Sequence, residues 1–463
     1  MKQKHLQHLY WRASFGIGAK EITHLKSEPK SKIVSKLLLQ SNTYEPLQLD
    51  LSEFLEVKFK SNKELKEQFT ALELQELKRK QQRKVKALNY AWIERLRQPT
   101  ALLREKMTLF WSNVFVCRDN DIFFIQRYNN ILRQHALGDF RNFVKAIARE
   151  PSMSKYLNNR QNVKRKPNEN FARELMELFT LGLGNYTEQD VKEAARAFTG
   201  WSFKRNGDFY VKEKQHDFKE KTFLGKTGNF DGDDIIDIIL EQKQCARFIC
   251  DKIYTYFINP KIDKKRLEEI TAVFYKDYNI GNLMEYIFKS NWFYNEENIG
   301  VKIKSPLELL VGIQKVVPVT FHKEQQLIYL QKMMGQTLLY PTNVAGWKGG
   351  KSWIDANTLM FRMKLASLIL NNAVINLEEK GAFEDSFEKY YQKTKNSNKF
   401  IKTTKNWEVF DVENKERNAS QLTNLLVLSK LDKDTEAFLE SLQIKSNRNF
   451  CVQLMSIPEY QLC

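Results

Sequence analysis

The chain has 463 residues, enough for two or three ordinary domains or for one large helical body with an appended piece. Its 42% hydrophobic and 12% aromatic content can fill a substantial core, which excludes disorder along the whole length. A net charge of +18 raises the question of a phosphate-rich partner, and the distribution of that charge decides it. The longest apolar runs, such as Leu307–Val311 and Ile235–Leu240, fall far short of the ~20 residues of a membrane helix, so no membrane span is expected. Met1–Gly16 places Lys2, Lys4, His5 and Arg12 among short apolar groups and does not read as a secretory signal. Cys117, Cys245, Cys250, Cys451 and Cys463 form no CxxC pair and no zinc-like spacing, which favours a reducing, cytoplasmic location. Cys245 and Cys250 are expected as small hydrophobes on a buried helix.

In chain order the pattern is predominantly helical. Ser61–Gln98 reads as one long helix, with Asn62 as candidate cap and Pro99 as stop. It holds the densest basic run, Lys78, Arg79, Lys80, Arg83, Lys84 and Lys86, but Glu64, Glu67, Glu73, Glu76 and Glu94 interleave with it. A solvated face is therefore expected, and sequence-specific nucleic-acid binding is not. Thr100 is placed to cap the next helix, Ala101 to about Val116, which aligns Leu103, Met107, Phe110, Trp111 and Val114 on a core side. Helices over about Ile122–His135 and Phe140–Arg149 follow.

The next helix, Asn168–Leu181, is the most informative. At helical spacing Glu169, Asn170, Arg173, Glu174 and Glu177 fall within one arc, opposite Phe171, Ala172, Leu175, Leu178 and Phe179. Gly182 and Gly184 end it, and Thr187 with Asp190 starts a second helix, so the pair is a helix hairpin. Trp201–Phe203, a turn at Asn206–Gly207 and Phe209–Val211 then predict a β-hairpin, with Lys221–Leu224 as a further short strand. Asp231, Asp233 and Asp234 lack the ligand spacing of a calcium loop and read as carboxylates at a helix N-terminus. Lys243–Ser367 is again helical, interrupted by Asn343–Trp353, where Gly346–Lys351 reads as a tight turn rather than a phosphate loop.

The fold class expected is thus mainly α: a large multi-helix body over residues 1–372, a small antiparallel β element at about 201–224, and a helical C-terminal appendage over 373–463.

Carboxylates three or four residues apart on a helix face can divide acid and base roles or share a metal, and an arginine among them can hold an anion. On that chemistry Glu174 and Glu177, joined by His216 and Asp217 from the loop after the hairpin, are the candidate catalytic residues. Asn168, Glu169, Asn170 and Arg173 are the candidate substrate-binding residues, and neither a metal nor a cofactor is specified. The arc is expected to face a partly buried polar centre containing His216 or Asp217, with Arg173 bonding one of the buried carboxylates. The alternative is an ion-pair network, since Glu169 and Arg173 are four apart, with His216 and Asp217 stabilising a turn.

Several segments resemble the bacterial domain-of-unknown-function family 1800. They include His8-Leu-Tyr-Trp-Arg-Ala-Ser-Phe-Gly16, Leu103-Arg-Glu-Lys-Met-Thr-Leu-Phe-Trp111 and, most specifically, Pro167-Asn-Glu-Asn-Phe-Ala-Arg-Glu-Leu-Met-Glu-Leu-Phe-Thr-Leu-Gly182. Tyr186–Val191, Ala197–Trp201, His216-Asp217, Phe223–Gly225, Lys304-Ser-Pro-Leu-Glu308 and Asn343–Trp347 add to it, covering residues 5 to 370. Many members resemble Trp-His-Asn-His-Phe where this chain has Trp111-Ser112-Asn113-Val114-Phe115, so two imidazoles are missing, and Lys219 stands where a glycine is usual. The resemblance implies kinship without an activity. It also implies a protein partner from the alkaline-phosphatase-like family often encoded nearby. Three functions are left in view: a hydrolase-like or metal-assisted enzyme with a Glu/Asn/Arg/His cleft, a non-catalytic binding or assembly partner and, behind both, nucleic-acid binding that is weak and independent of sequence.

Overall fold

The stretch expected as one helix over Ser61–Gln98 is two helices, Asn62–Gln68 and Ala71–Arg97, in the computed structural model, which describes residues 1–373 and 401–463. Ser61 caps the first by accepting from the Glu64 amide, and Thr70 caps the second through reciprocal bonds with Glu73. Two capping boxes hold Phe69 in extended backbone between them, which outweighs helical continuity. Pro99 ends the second helix as expected. Thr100 does not cap the next: Ala101 takes that position for Leu102–Val114, and the Thr100 hydroxyl turns to Glu45.

The helices Ile122–His135 and Phe140–Arg149 fall where the apolar periodicity places them. Their inner faces meet Trp111, whose ring lies 5.6, 5.7 and 5.3 Å from those of Phe115, Phe140 and Phe143. This aromatic group sits in the largest hydrophobic core, which continues through Gly232–Glu241, Lys243–Phe257, Lys264–Asp277 and Ile280–Lys289.

The Asn168–Leu181 helix departs from the expected geometry. It is α-helical only over Asn170–Glu174 and continues as a π-helix over Leu175–Thr180, where Leu181 and Gly182 both donate to the Met176 carbonyl. Gly182, at φ +81°, stops it at a point where a side chain would collide with the Phe248 ring. The hairpin's second helix, Glu188–Ala197, starts with the expected Thr187–Asp190 capping box.

Three two-stranded antiparallel sheets are present among the described residues. β1 (Trp201–Phe203) pairs with β2 (Phe209–Val211) in the register Trp201↔Val211, closed at Gly207 as expected. β3 (Lys221–Phe223) does not join that sheet but pairs with β4 (Lys226–Gly228). β5 (Val319–Phe321) pairs with β6 (Thr403–Lys405), so the all-helical reading of Lys243–Ser367 is corrected at 319–321.

The appendage expected after 372 falls partly on residues 374–400, which lie outside the described residues. Residues 401–463 form β6 and helices that include Trp407–Asn414, Ala419–Leu426, Lys433–Ser441 and Asn447–Leu454. Their Phe410, Leu422, Phe450 and Tyr460 share one hydrophobic core with Leu309, Ile313, Leu365 and Ile369.

Asp231 caps its helix and Asp233 pairs with Arg149, the roles expected of N-terminal carboxylates. Gly346, Gly349 and Gly350 all take positive φ around the buried Trp347 and Trp353, a tight turn. All five cysteines are free and buried. No helix among the described residues is long and apolar enough to cross a membrane.

Candidate functional site

Arg173 leaves the short α-helical turn and bridges two helices. It donates to Glu169 at 2.9 Å and, bidentately, to both oxygens of Glu188 at 2.7 Å on the hairpin's second helix. These bonds push its pKa upward, Glu188 contributing most. The expected bond from Arg173 to Glu174 or Glu177 is absent. Glu177 instead accepts from the Tyr186 hydroxyl at 3.0 Å, and burial together with that bond pushes the Tyr186 phenol up to about 12. Burial, and then the neighbouring Glu177, raise the Glu174 carboxyl. Both glutamates are half-buried.

His216 is buried, and its Nδ1 lies 2.7 Å from the Thr199 carbonyl, which can only accept, so Nδ1 carries the proton. Asp217 accepts from Arg196 at 2.8 Å and from the Lys219 amide at 2.9 Å. Burial works to raise this carboxyl, but those hydrogen bonds outweigh it and hold it below its ordinary value. The Asp217 amide in turn donates to the Thr199 hydroxyl at 2.8 Å, fastening the loop to the end of the Glu188–Ala197 helix.

Among the described residues no hydrogen bond or ion pair joins His216 or Asp217 to Glu174 or Glu177. The two groups are linked at one remove by the 159–168 loop. Asn162 donates to the Ala195 carbonyl and accepts from the Asn168 amide, and its carbonyl accepts from Gly200. Lys164 bonds the Gln215 carbonyl.

The arc does face a cleft. Asn168, Glu169, Asn170 and Arg173 line a cavity of ≈ 480 Å³ together with Gln161, Lys166 and Pro167, whereas Glu174, Glu177, His216 and Asp217 do not line it. Gln161 also lines a second cavity of ≈ 650 Å³, and Asp121 and Lys155 are shared between that one and a third of ≈ 730 Å³. The three are therefore neighbours along one polar cleft. Lys78, Gln81 and Gln82 of the Ala71–Arg97 helix form one wall of the last, and Lys78, like most of the basic run, is exposed as expected of a solvated face. The middle cavity is lined by Lys58, Lys155, Arg160, Lys204, Arg205 and Lys212 against the single carboxylate of Asp121. Lys155 is committed to Asp119 at 2.6 Å. Among the described residues, Lys58, Arg160, Lys204 and Lys212 pair with no carboxylate. None of these six cations was singled out from sequence, because they are dispersed over 155 residues of chain and only the fold collects them.

A second polar cluster lies inside the core. Lys106 donates to Glu308 at 2.5 Å and to the Ser14 carbonyl at 2.7 Å, and Lys302 donates to the same Glu308 oxygen at 2.7 Å. Lys304 bonds the Tyr460 carbonyl at 2.6 Å, its ammonium 4.1 and 3.7 Å from the Trp11 and Tyr460 ring centroids. Burial pushes Lys106 down to about 8 and Lys304 down to about 7. At Glu308 burial acts upward, but Lys106 and Lys302 outweigh it and hold the carboxyl far below its ordinary value.

No three of His, Cys, Asp and Glu converge as a metal-binding set among the described residues. The sequence profile of a family described as protein of unknown function (DUF1800) matches residues 8–462. The chain belongs to the DUF1800 family. No curated protein and no solved structure matches it.

Kinship gives the buried cluster added interest. The DUF1800-like segments 8–16, 103–111 and 304–308, far apart in sequence, supply the Trp11 ring and Ser14 carbonyl, Lys106, and Lys304 with Glu308 to it. A signal was present in the sequence for Glu308, which stands between the core residues Leu307 and Leu309. At the position of the missing imidazoles, Ser112 donates to the Leu109 carbonyl at 2.8 Å and Val114 is core. Between them Asn113 exchanges two hydrogen bonds with the Trp347 backbone, 2.7 and 3.0 Å, which ties this helix to the Asn343–Trp347 turn.

Proposed function

We propose that this DUF1800 protein is a binding protein whose polar cleft takes a ligand bearing several anionic groups. The observation that carries this reading is the set of four cations, Lys58, Arg160, Lys204 and Lys212, on one cavity with no carboxylate partner among the described residues. Uncompensated cations in a concave, partly water-excluded site focus positive potential, which concentrates anions there. Arg173, with Asn168, Glu169 and Asn170, lines the adjoining cavity and supplies hydrogen-bonding groups at that end. An alkaline-phosphatase-like partner, a class of protein that acts on anionic esters, fits a protein that captures such a ligand. The five free, buried thiols support a cytoplasmic setting. Titration with inorganic polyphosphate tests the reading: calorimetric binding that is lost in Lys204→Ala/Lys212→Ala supports it, and no binding at low salt overturns it.

A hydrolytic reading has its support at Glu174 and Glu177. The two half-buried carboxyls lie three residues apart, and burial and then Glu177 raise the Glu174 carboxyl, which favours Glu174 as the proton donor of the pair. In that reading Glu174 is the acid, Glu177 the base, and His216 and Asp217 position the adjoining loop. Loss of turnover of an anionic ester in Glu177→Gln, with ligand binding retained, is the outcome that separates it from pure binding.

A further inference from the structure

The geometry points to a single strand of nucleic acid, bound without sequence preference, as the ligand of the three-cavity cleft. This rests on the anion-binding reading above and names the class of anion. Charge alone would suit any polyanion, so the argument turns on what accompanies the charge.

The cleft is elongated, three cavities sharing Gln161 at one junction and Asp121 with Lys155 at the other. A linear polymer engages all three, and a compact anion engages one. Aromatic rings interleave with the cations. Tyr210 on β2 lines the middle cavity and is 36% exposed, and the half-buried Tyr156 lines the third. A solvent-accessible ring beside a group of cations is the stacking platform of single-strand binding, because every base has a π-face and an acidic polysaccharide has none.

The neighbouring cavity differs in character in the way a strand requires. Its lining has the amides of Gln81, Gln82 and Asn120, which do not line the middle cavity, beside the carboxylates of Asp119 and the shared Asp121. Asp119 and Asp121 are engaged by Lys155, Ser152 and helix-capping amides, so the side-chain amides, which both donate and accept, are the groups left to serve the edge of a base. Phosphates are thus expected on the middle cavity and base edges in the mixed one. A paired duplex holds its bases stacked internally and cannot offer their faces to Tyr210 and Tyr156, which selects the single strand.

The Asn62–Gln68 and Ala71–Arg97 helices take part as a wall. Lys58, just before them, lines the middle cavity and Lys78 the mixed one, so this arm and the β1–β2 hairpin stand on the same ligand. No base-reading element enters a groove, in keeping with binding that is independent of sequence.

Fluorescence anisotropy of the full chain with a labelled oligothymidine, at low and at physiological salt, tests the inference. We expect binding that weakens steeply with salt, and a loss of about tenfold in Lys204→Ala/Lys212→Ala with a shallower salt slope. Tyr210→Ala is expected to weaken the oligonucleotide about tenfold while leaving polyphosphate affinity unchanged, since stacking serves only a base. Lys204 and Tyr210 are exposed and Lys212 is half-buried, and none of the three is part of a hydrophobic core, so the variants are expected to retain the wild-type circular dichroism. Binding of polyphosphate without oligothymidine overturns the nucleic-acid inference and leaves the anion cleft standing. Preference for duplex DNA or for a sulfated polysaccharide over the single strand also overturns it, and binding of none of these overturns both readings.

Discussion

Arg173 and Glu188 form a two-pronged ion pair, Nη1 to Oε1 and Nη2 to Oε2 both at 2.7 Å, that closes the helix hairpin on the face where a catalytic centre was expected. The parallel-fork geometry gives the pair directionality. Both partners reach solvent, with side-chain exposures of 33% and 68%, so water and salt screen it. Arg173→Ala is therefore expected to lower the thermal midpoint only slightly, far less than the breaking of a buried pair. A large loss of stability in differential scanning calorimetry would mean that the hairpin depends on this clamp.

Among the described residues the Glu177 side chain has one hydrogen-bond partner, the Tyr186 hydroxyl, and a neutral amide oxygen also accepts from that hydroxyl. Glu177→Gln should fold with an unchanged midpoint. In the binding reading it also leaves polyphosphate affinity intact, because Glu177 lies outside the lining of the three cavities. Isothermal titration of the variant checks both halves of this expectation.

Glu308 is fully buried and is the common acceptor of Lys106 and Lys302. Its replacement by glutamine strands two ammonium groups in a low-dielectric core, a change that costs about 3–5 kcal/mol in comparable buried pairs. Urea denaturation of Glu308→Gln should show that loss. Lys106→Met should cost less, because Lys302 remains to neutralise Glu308.

Local rules carried much of the fold. The Thr187–Asp190 box, the Gly207 turn and the Pro99 stop were legible because each acts over a few residues. The π-helical turn at Leu175–Thr180 was not, since an α-helical count of the same residues is locally as good and tertiary packing against Phe248 decides the end. β5 and β6 pair residues some 80 apart and had no periodic signal of their own in three-residue strands. For the site, periodicity brought Glu169, Asn170 and Arg173 to one cleft. The spacing between His216 and Glu174 was not legible, because it depends on how the loop around Asn162 is fastened to Ala195, a contact 33 residues away in sequence.

Lys304 gives the last expectation, a pH dependence with a definite sign. Burial among Trp11, Tyr460 and the core lowers its folded value to about 7 from the ordinary lysine value of 10.5. Between those two limits the unfolded chain binds a proton that the folded chain does not, so stability rises with pH through the window and falls as pH drops toward 7. Below about 7 both states are protonated and the dependence from this group ends. Its contribution approaches about 1.4 kcal/mol per pH unit within the window. Buried thiols such as Cys245, raised to about 12 by burial, act in the opposite sense once pH passes the ordinary thiol value of 9.0. The comparison therefore belongs between about 7 and 9, and against Lys304→Met, which keeps every thiol and removes only the amine. Wild-type denaturation midpoints should climb across that range while those of the variant stay flatter. Parallel curves for the two proteins would mean that Lys304 keeps its proton in the folded core throughout.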